Sequence, residues 1–303
     1  MLAHQALLYH DRHEYVDGVL RFLEPALQGG EPIAIAVPAS GQRLLRERLN
    51  GAGERARFLD MEALGRNPAQ IIPAVRVIVS EHVRRRVHYV GEPIWAGRTN
   101  EEIAEATIHE ELINLAFPDA PIRILCPYDT TLLDPDVIVA AHRTHPHLAG
   151  AEGPRASPGY ADPGPPRDWL EPLAPAPANA ASLCFTLADL GRLRARVARH
   201  ASAAGLGRDG RDGLVIAVNE LATNSIKYGG GSGVLRIWTA EDRRLICEVR
   251  DAGEITDPLA GRIQPAPDAS GGRGLWLVNQ LSELVQMRTG PAGTAVRIRT
   301  SPD

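Results

Sequence analysis

Residues 151–180 read AEGPRASPGYADPGPPRDWLEPLAPAPANA and hold eight of the chain's 24 prolines. Proline fixes φ and removes a backbone donor, so neither a helix nor a central strand runs through this stretch. It divides the 303 residues into two halves, each about the size of one domain. We expect a first domain over 1–150, a semi-extended linker over 151–180 and a second domain over 181–303. Hydrophobic residues at 44% and charged residues at 23% set aside wholesale disorder. A net charge of −4 gives no electrostatic footprint for nucleic acid or an anionic membrane surface. No apolar run approaches the roughly 18 residues of a membrane span. The N-terminus lacks the apolar stretch of a signal peptide. Cys126, Cys184 and Cys247 are odd in number and far apart, which excludes a disulfide framework and paired-cysteine zinc sites. Together these features lead us to expect a cytoplasmic protein.

The first half alternates short apolar runs with segments of helical period. The runs are Ala6–Tyr9, Ile33–Val37, Arg57–Leu59, Ile94–Ala96 and Ile122–Cys126. The helical segments are Glu14–Leu27, Gln42–Leu49, Pro68–His88, Glu101–Phe117 and Pro135–Arg143. Such alternation predicts a parallel sheet with helices on its faces, a fold that carries function at the carboxyl ends of its strands. After Ile33–Val37 the chain reads Pro-Ala-Ser-Gly-Gln-Arg, without the spacing or the lysine of a phosphate loop.

The second half predicts an α+β sandwich. A strand at Leu183–Leu187 leads to a helix capped by Asp189 and running to Ala204. A second helix covers Asp209–Tyr228 and ends at a glycine run. Strands at Val234–Ala240 and Arg244–Asp251, a loop, a helix at Leu275–Leu284 and a strand at Ala295–Thr300 follow.

Three elements of this half bear on chemistry. On the second helix Val215, Val218, Leu221 and Ala222 form an apolar stripe, while Glu220 and Asn224 lie one turn apart on another face that Lys227 continues. A carboxamide beside a carboxylate suits a hydrated magnesium ion and a general base, and equally a solvated face. Arg250-Asp251-Ala252-Gly253 sits at a strand end, where a carboxylate can accept from an exocyclic amine and glycine admits a flat base; a plain turn has the same pattern. Ser270-Gly271-Gly272-Arg273-Gly274-Leu275 runs into an apolar helix, whose free N–H groups can hold phosphate.

The order Glu-x3-Asn, Asp-x-Gly, Gly-x-Gly resembles the GHKL (histidine-kinase-like) ATPases over residues 183–300, and most closely their anti-sigma-factor serine/threonine kinases. The resemblance implies a GHKL (Bergerat) sandwich that binds ATP and Mg2+. By it, Glu220 is the catalytic base, Asn224 the Mg2+ ligand, Asp251 the reader of the adenine amine and Gly253 the residue under the base. Gly272 and Gly274 hinge the lid, and Lys227, Arg273 and Leu275 complete the nucleotide contacts. The implied partners are an anti-anti-sigma (STAS) protein that is phosphorylated and a sigma factor that is held inactive, with a possible homodimer. One departure is Ile255, which stands where the family has a second glycine, so a stiffer or rebuilt lid is expected. A sensor histidine kinase needs an acceptor histidine on a helical hairpin. His200, the sole histidine of this half, instead falls within the first ATPase helix and reads as a surface residue.

The first half resembles the MEDS sensory domain over residues 3–148, a RecA-like fold without a phosphate loop. It would sense an unknown small-molecule signal. Ala104, Ile108, Glu111 and Leu115 fall on one helical stripe, so Glu111 points where apolar residues point and needs a partner, for which Arg123 is placed. A structural ion pair and a ligand contact are both open there. Cys126, Tyr128, Asp129 and His145 are expected to line a pocket at the carboxyl edge of the sheet. His142, His145 and His147 have a loose metal-like spacing without a paired cysteine.

Overall fold

The computed structural model describes residues 2–266, 268–269 and 271–302, with the backbone alone at 52–54. The chain forms two compact units, Met1–Gly164 and Pro165–Asp303.

Seven strands build the first unit: β1 (Ala3–Tyr9), β2 (Ile33–Val37), β3 (Ala56–Asp60), β4 (Val87–Gly91), β5 (Ile122–Asp129), β6 (His147–Leu148) and β7 (Arg155–Ala156). Their order is β3-β2-β4-β5-β1-β6-β7. All neighbours are parallel except β7, which closes the edge antiparallel to β6. The helices are α1 (Arg12–Gly29), α2 (Ala39–Leu49), α3 (Met61–Leu64), α4 (Ile71–Glu81), α5 (Asn100–Ala116) and α6 (Pro135–Thr144). Every residue of β2 and β4 is buried, as a parallel sheet covered on both faces requires. Helix starts are written locally. Asp11 caps α1 through the amides of His13 and Glu14, and Thr99 and Glu102 form a reciprocal capping box on α5.

Two expectations fail here. The helix read over Pro68–His88 is a short 3-10 turn followed by α4, and the chain then enters β4. The polar run Arg84-Arg85-Arg86 imitates a helical surface, but Arg84 takes φ 70, which breaks the helix. The strand read at Ile94–Ala96 is irregular, because β4 ends at Gly91 and Pro93 has no ladder donor.

The proline-rich stretch is shared between the units and is seated along much of its length. In the first unit Ser157 Oγ donates to the His142 carbonyl at 2.7 Å, and the Ala161 amide donates to Arg143 O at 3.1 Å. In the second, Trp169 and Leu173 are buried, and Arg297 donates to the Ala174 carbonyl at 2.5 Å.

The second unit is an antiparallel sheet of β8 (Ala181–Thr186), β9 (Ser232–Thr239), β10 (Leu245–Asp251), β11 (Leu284–Gly290) and β12 (Gly293–Thr300), in the order β11-β12-β10-β9-β8. Helix α8 (Arg208–Tyr228) lies on β9, β10 and β12. It packs against α7 (Leu190–Ala203) and α9 (Arg273–Leu281). Leu214, Ala217, Val218, Leu221 and Ala222 form its buried face, and Val215 lies at the margin. Asp189 does not cap α7 as expected. Its carboxylate accepts from the Thr186 amide and hydroxyl at 3.1 and 3.0 Å, so it closes the preceding turn. The helix expected to reach Leu284 stops at Leu281, since Ser282 is extended and the Glu283 amide bonds Arg299 O. That bond feeds the chain into β11, a strand the helical reading concealed.

Candidate functional site

The second unit carries a cavity of about 590 Å³, within the range of small-molecule sites. Its wall is made by α8, the end of β10, described residues of the loop that follows it, the start of α9 and Thr294 and Val296 of β12. Glu220, Asn224, Lys227, Asp251, Gly253, Gly272, Arg273, Gly274 and Leu275 all line it. Ser270 lies outside the described residues.

The Asp251 side chain is placed by two specific contacts. Asp251 ends β10, where Oδ2 accepts from Ser225 Oγ at 2.6 Å and Oδ1 from the Gly253 amide at 2.8 Å. Ser225, one residue beyond Asn224, escapes a reading of the sequence because its partner is 26 residues away. Two glycines are required by close approach. A Cβ on Gly253 would lie 2.6 Å from the Tyr228 carbonyl oxygen. A Cβ on Gly274 would lie 3.0 Å from Glu220 Oε2 and 3.1 Å from Asn224 Nδ2. The first turn of α9 therefore sits against the Glu220 and Asn224 face of α8. Gly272, at φ 83, precedes that turn as its N-terminal boundary.

Ile255 also lines the cavity. It is absent from the described positive-φ residues, so its backbone does not need glycine. Its amide donates to Thr289 Oγ1 at 2.8 Å, and Thr294 Oγ1 donates to Gly253 O at 2.8 Å. The start of the loop after β10 is thus pinned to β11 and β12. His200 is half-buried, with Nδ1 against the Arg196 carbonyl of its own helix at 2.9 Å.

In the first unit Glu110, one residue before the expected one, is a fully buried carboxylate, and Glu105 on the same helix is buried as well. Glu111 pairs with Arg143 at 2.9 Å rather than with Arg123, whose guanidinium lies over the Phe22 ring. The sequence pattern misleads because α5 packs against both α4 and α6, so more than one of its faces is buried. Cys126, Tyr128 and His145 converge on Glu110, as does His4, which the sequence does not single out. Asp129 stands apart and accepts from Thr131 and Leu132 in the turn after β5. His142 and His147 do not join His145: His142 lies beside Ser157, and His147 is exposed. Burial pushes the Cys126 thiol and the Tyr128 hydroxyl well up, and Glu110 adds to both shifts. Burial pushes the His145 imidazole down to about 3.

Another buried acid, Glu92, follows β4 and accepts from Tyr15 Oη at 3.3 Å. Burial pushes its carboxyl from 4.5 up to about 8, against the lowering effect of that bond. The folded state therefore holds a proton that the unfolded chain releases from about pH 4.5. Stability from this group is full below that pH and is lost as pH rises to about 8. One unit is worth about 1.4 kcal/mol, so the span amounts to several kcal/mol. Glu92→Gln, neutral at all pH, is expected to flatten that part of the stability profile. Urea midpoints at the two ends of the window check it, and parallel profiles for the two proteins refute it.

Comparison with known families accords with this architecture. Residues 3–146 match the family described as "MEDS: MEthanogen/methylotroph, DcmR Sensory domain". Residues 183–300 match the family described as "Histidine kinase-like ATPase domain". The chain thus joins an N-terminal MEDS domain to a C-terminal histidine kinase-like ATPase domain. Among solved structures, the RsbU and RsbW domains of Rv1364c from Mycobacterium tuberculosis align at 18% identity and a TM-score of 0.30. That alignment covers 40% of this chain and 32% of the other, so the chain spans about a third of that relative's length. No curated protein matches the chain. No described helix is long and apolar enough to cross a membrane.

Proposed function

We propose that this protein binds ATP with Mg2+ in the cavity of its C-terminal domain and phosphorylates a serine or threonine of an anti-anti-sigma (STAS) partner. A sigma factor is the second partner, and the MEDS domain tunes the activity in response to a small-molecule signal. The observation that carries the reading is the convergence of Glu220, Asn224, Asp251 and the first turn of α9 on one cavity in a histidine kinase-like ATPase domain.

The residues fit the nucleotide and its ion. Asp251, oriented by Ser225 and Gly253, offers an acceptor to an exocyclic amine. Gly274 leaves open a space that its Cβ would fill, beside the Asn224 amide and the Glu220 carboxylate. An amide oxygen there suits a hard, largely hydrated cation. Bound Mg2+ would neutralise charge developing on the phosphates. Glu220 orients the attacking hydroxyl and takes its proton. The amides at the start of α9, with Arg273 and Lys227, hold the phosphates.

Calorimetric titration of the full chain with ATP, with and without Mg2+, tests the binding step. Wild type is expected to bind ATP in a Mg2+-dependent manner, and Asn224→Ala to lose that dependence. Binding that is equal without Mg2+ would remove Asn224 from its role. The anchored lid segment at Ile255 supports a second reading, an ATP-dependent binding switch without phosphotransfer. Stoichiometric phosphoserine on a partner decides for the kinase.

A further inference from the structure

The MEDS unit holds a polar cluster in its interior that the ATPase reading leaves unexplained. His4 comes from β1, Glu110 from α5, Cys126 from β5 and His145 from the residue after α6. All four are buried, none exposing more than 1% of its surface. Four segments distant in sequence thus bring four groups of metal-binding type to one point. Their ligand atoms lie within 4.8 Å of one another.

Four of the six separations are close to those of a coordination shell, and the other two lie within 4.8 Å. Glu110 Oε2 is 3.1 Å from His4 Nε2, 3.5 Å from Cys126 Sγ and 3.5 Å from His145 Nε2. Cys126 Sγ is 3.5 Å from His4 Nε2. Tetrahedral zinc bonds of about 2.0–2.3 Å place neighbouring ligand atoms about 3.3–3.7 Å apart.

The surrounding hydrogen bonds decide where the ring protons are. Asn114 gives its Nδ2 protons to the Thr144 carbonyl at 2.8 Å, which turns its Oδ1 toward His4 Nδ1 at 3.1 Å. An amide oxygen only accepts, so His4 carries a proton on Nδ1. The Ala141 carbonyl, 2.9 Å from His145 Nδ1, likewise only accepts, so His145 is protonated there too. Both Nε2 atoms then turn toward the same carboxylate oxygen. Tyr128 Oη donates to the other oxygen, Oε1, at 3.1 Å and orients the carboxylate.

Without a cation this arrangement is poorly satisfied. The Cys126 thiol can serve Glu110 Oε2, and one further proton can serve the His4 pair. His145 Nε2, fully buried and aimed into the cluster, has no hydrogen-bond partner. Leaving such an atom orphaned costs about 1–3 kcal/mol. A single divalent ion satisfies all four ligands at once, and the Nδ1 partners form the outer shell that orients metal-bound histidines.

We propose that His4, Glu110, Cys126 and His145 bind one divalent transition-metal ion of the zinc class inside the N-terminal domain. Two imidazoles, a thiolate and a carboxylate match zinc rather than calcium or magnesium, which take all-oxygen shells. On binding, the Cys126 sulfur forms its bond to the metal and releases its proton to solvent. The ion ties β1, β5 and α5 to the end of α6.

Cobalt titration of the full chain, purified without metal, tests the assignment. One equivalent of Co2+ is expected to give a thiolate-to-metal charge-transfer band with intense tetrahedral d–d bands, and Zn2+ to displace both. Cys126→Ser is expected to lose the charge-transfer band, while Cys184→Ser, at an exposed thiol, keeps it. Asn114→Ala, which removes only the acceptor on His4 Nδ1, is expected to weaken Co2+ binding about 10- to 100-fold. The zinc-edge absorption spectrum of the Zn2+-loaded wild type requires no variant and is expected to report one sulfur with nitrogen and oxygen neighbours. A wild type that takes up no stoichiometric Co2+, a band that survives in Cys126→Ser, or a sulfur-free zinc shell would each leave the cluster as a hydrogen-bonded network and overturn the proposal.

Discussion

Asp251→Ala is expected to weaken ATP binding roughly 10- to 100-fold. The carboxylate is fixed before any ligand arrives, by Ser225 Oγ at 2.6 Å and the Gly253 amide at 2.8 Å. A hydrogen bond to a charged acceptor contributes about 1.5–3 kcal/mol, which sets the size of the loss. Pre-orientation adds specificity, because the residue has no rotamer freedom left to lose on binding. The same geometry predicts base selection. A nucleotide with a carbonyl in place of the exocyclic amine would set acceptor against acceptor, so ITP is expected to bind wild type about as weakly as ATP binds the alanine variant. Asp251→Asn keeps the shape and discards the charge, and its affinity should fall between the two. Ser225→Ala removes one of two supports and should cost only a few-fold. Calorimetry on the four proteins, with both nucleotides, reads all of these. Equal binding of ATP and ITP by wild type would show that the base lies away from Asp251.

The residues that line the C-terminal cavity are legible as candidates because they fall in local pairs. Glu220 and Asn224 are one helical turn apart, Asp251 and Gly253 share one turn of chain, and Gly272 and Gly274 open one helix, so spacing alone places each pair. What spacing could not supply is the register that joins them: the Ser225 bond to Asp251 spans 26 residues, and the approach of Gly274 to Glu220 spans more than 50. The N-terminal cluster was half legible for the converse reason. Cys126, inside β5, and His145, just after α6, fall in the stretches Leu-Cys-Pro-Tyr-Asp and Thr-His-Pro, whose polar groups attract notice. His4 lies inside β1, and Glu110 lies off the stripe that a single buried helix face would predict. Periodicity detects one buried face, and α5 has more than one. The concealed β11 follows the same logic. The apolar rhythm of α9 continues past Ser282, and only the pairing of β11 with β12 shows that the period has changed from a helix to a strand.

Glu220→Gln is expected to reduce phosphotransfer about 10²- to 10⁴-fold, the usual worth of a positioned general base. Its ATP affinity should stay within a few-fold of wild type. Glu220 is half-buried on α8, one turn from Asn224, with Oε2 close to the backbone of Gly274. Glutamine keeps that shape and removes the charge and with it the capacity to take a proton. Loss confined to turnover therefore identifies a base, whereas a parallel loss of binding identifies a structural support. Phosphoserine on a STAS partner, measured beside nucleotide affinity, separates these outcomes. It also separates the two proposed functions, since a binding switch has no turnover for the substitution to remove. If wild type transfers phosphate and Glu220→Gln does so equally well, the base must be another carboxylate of the same cavity, and Glu254 and Asp257, which also line it, are then the residues to substitute.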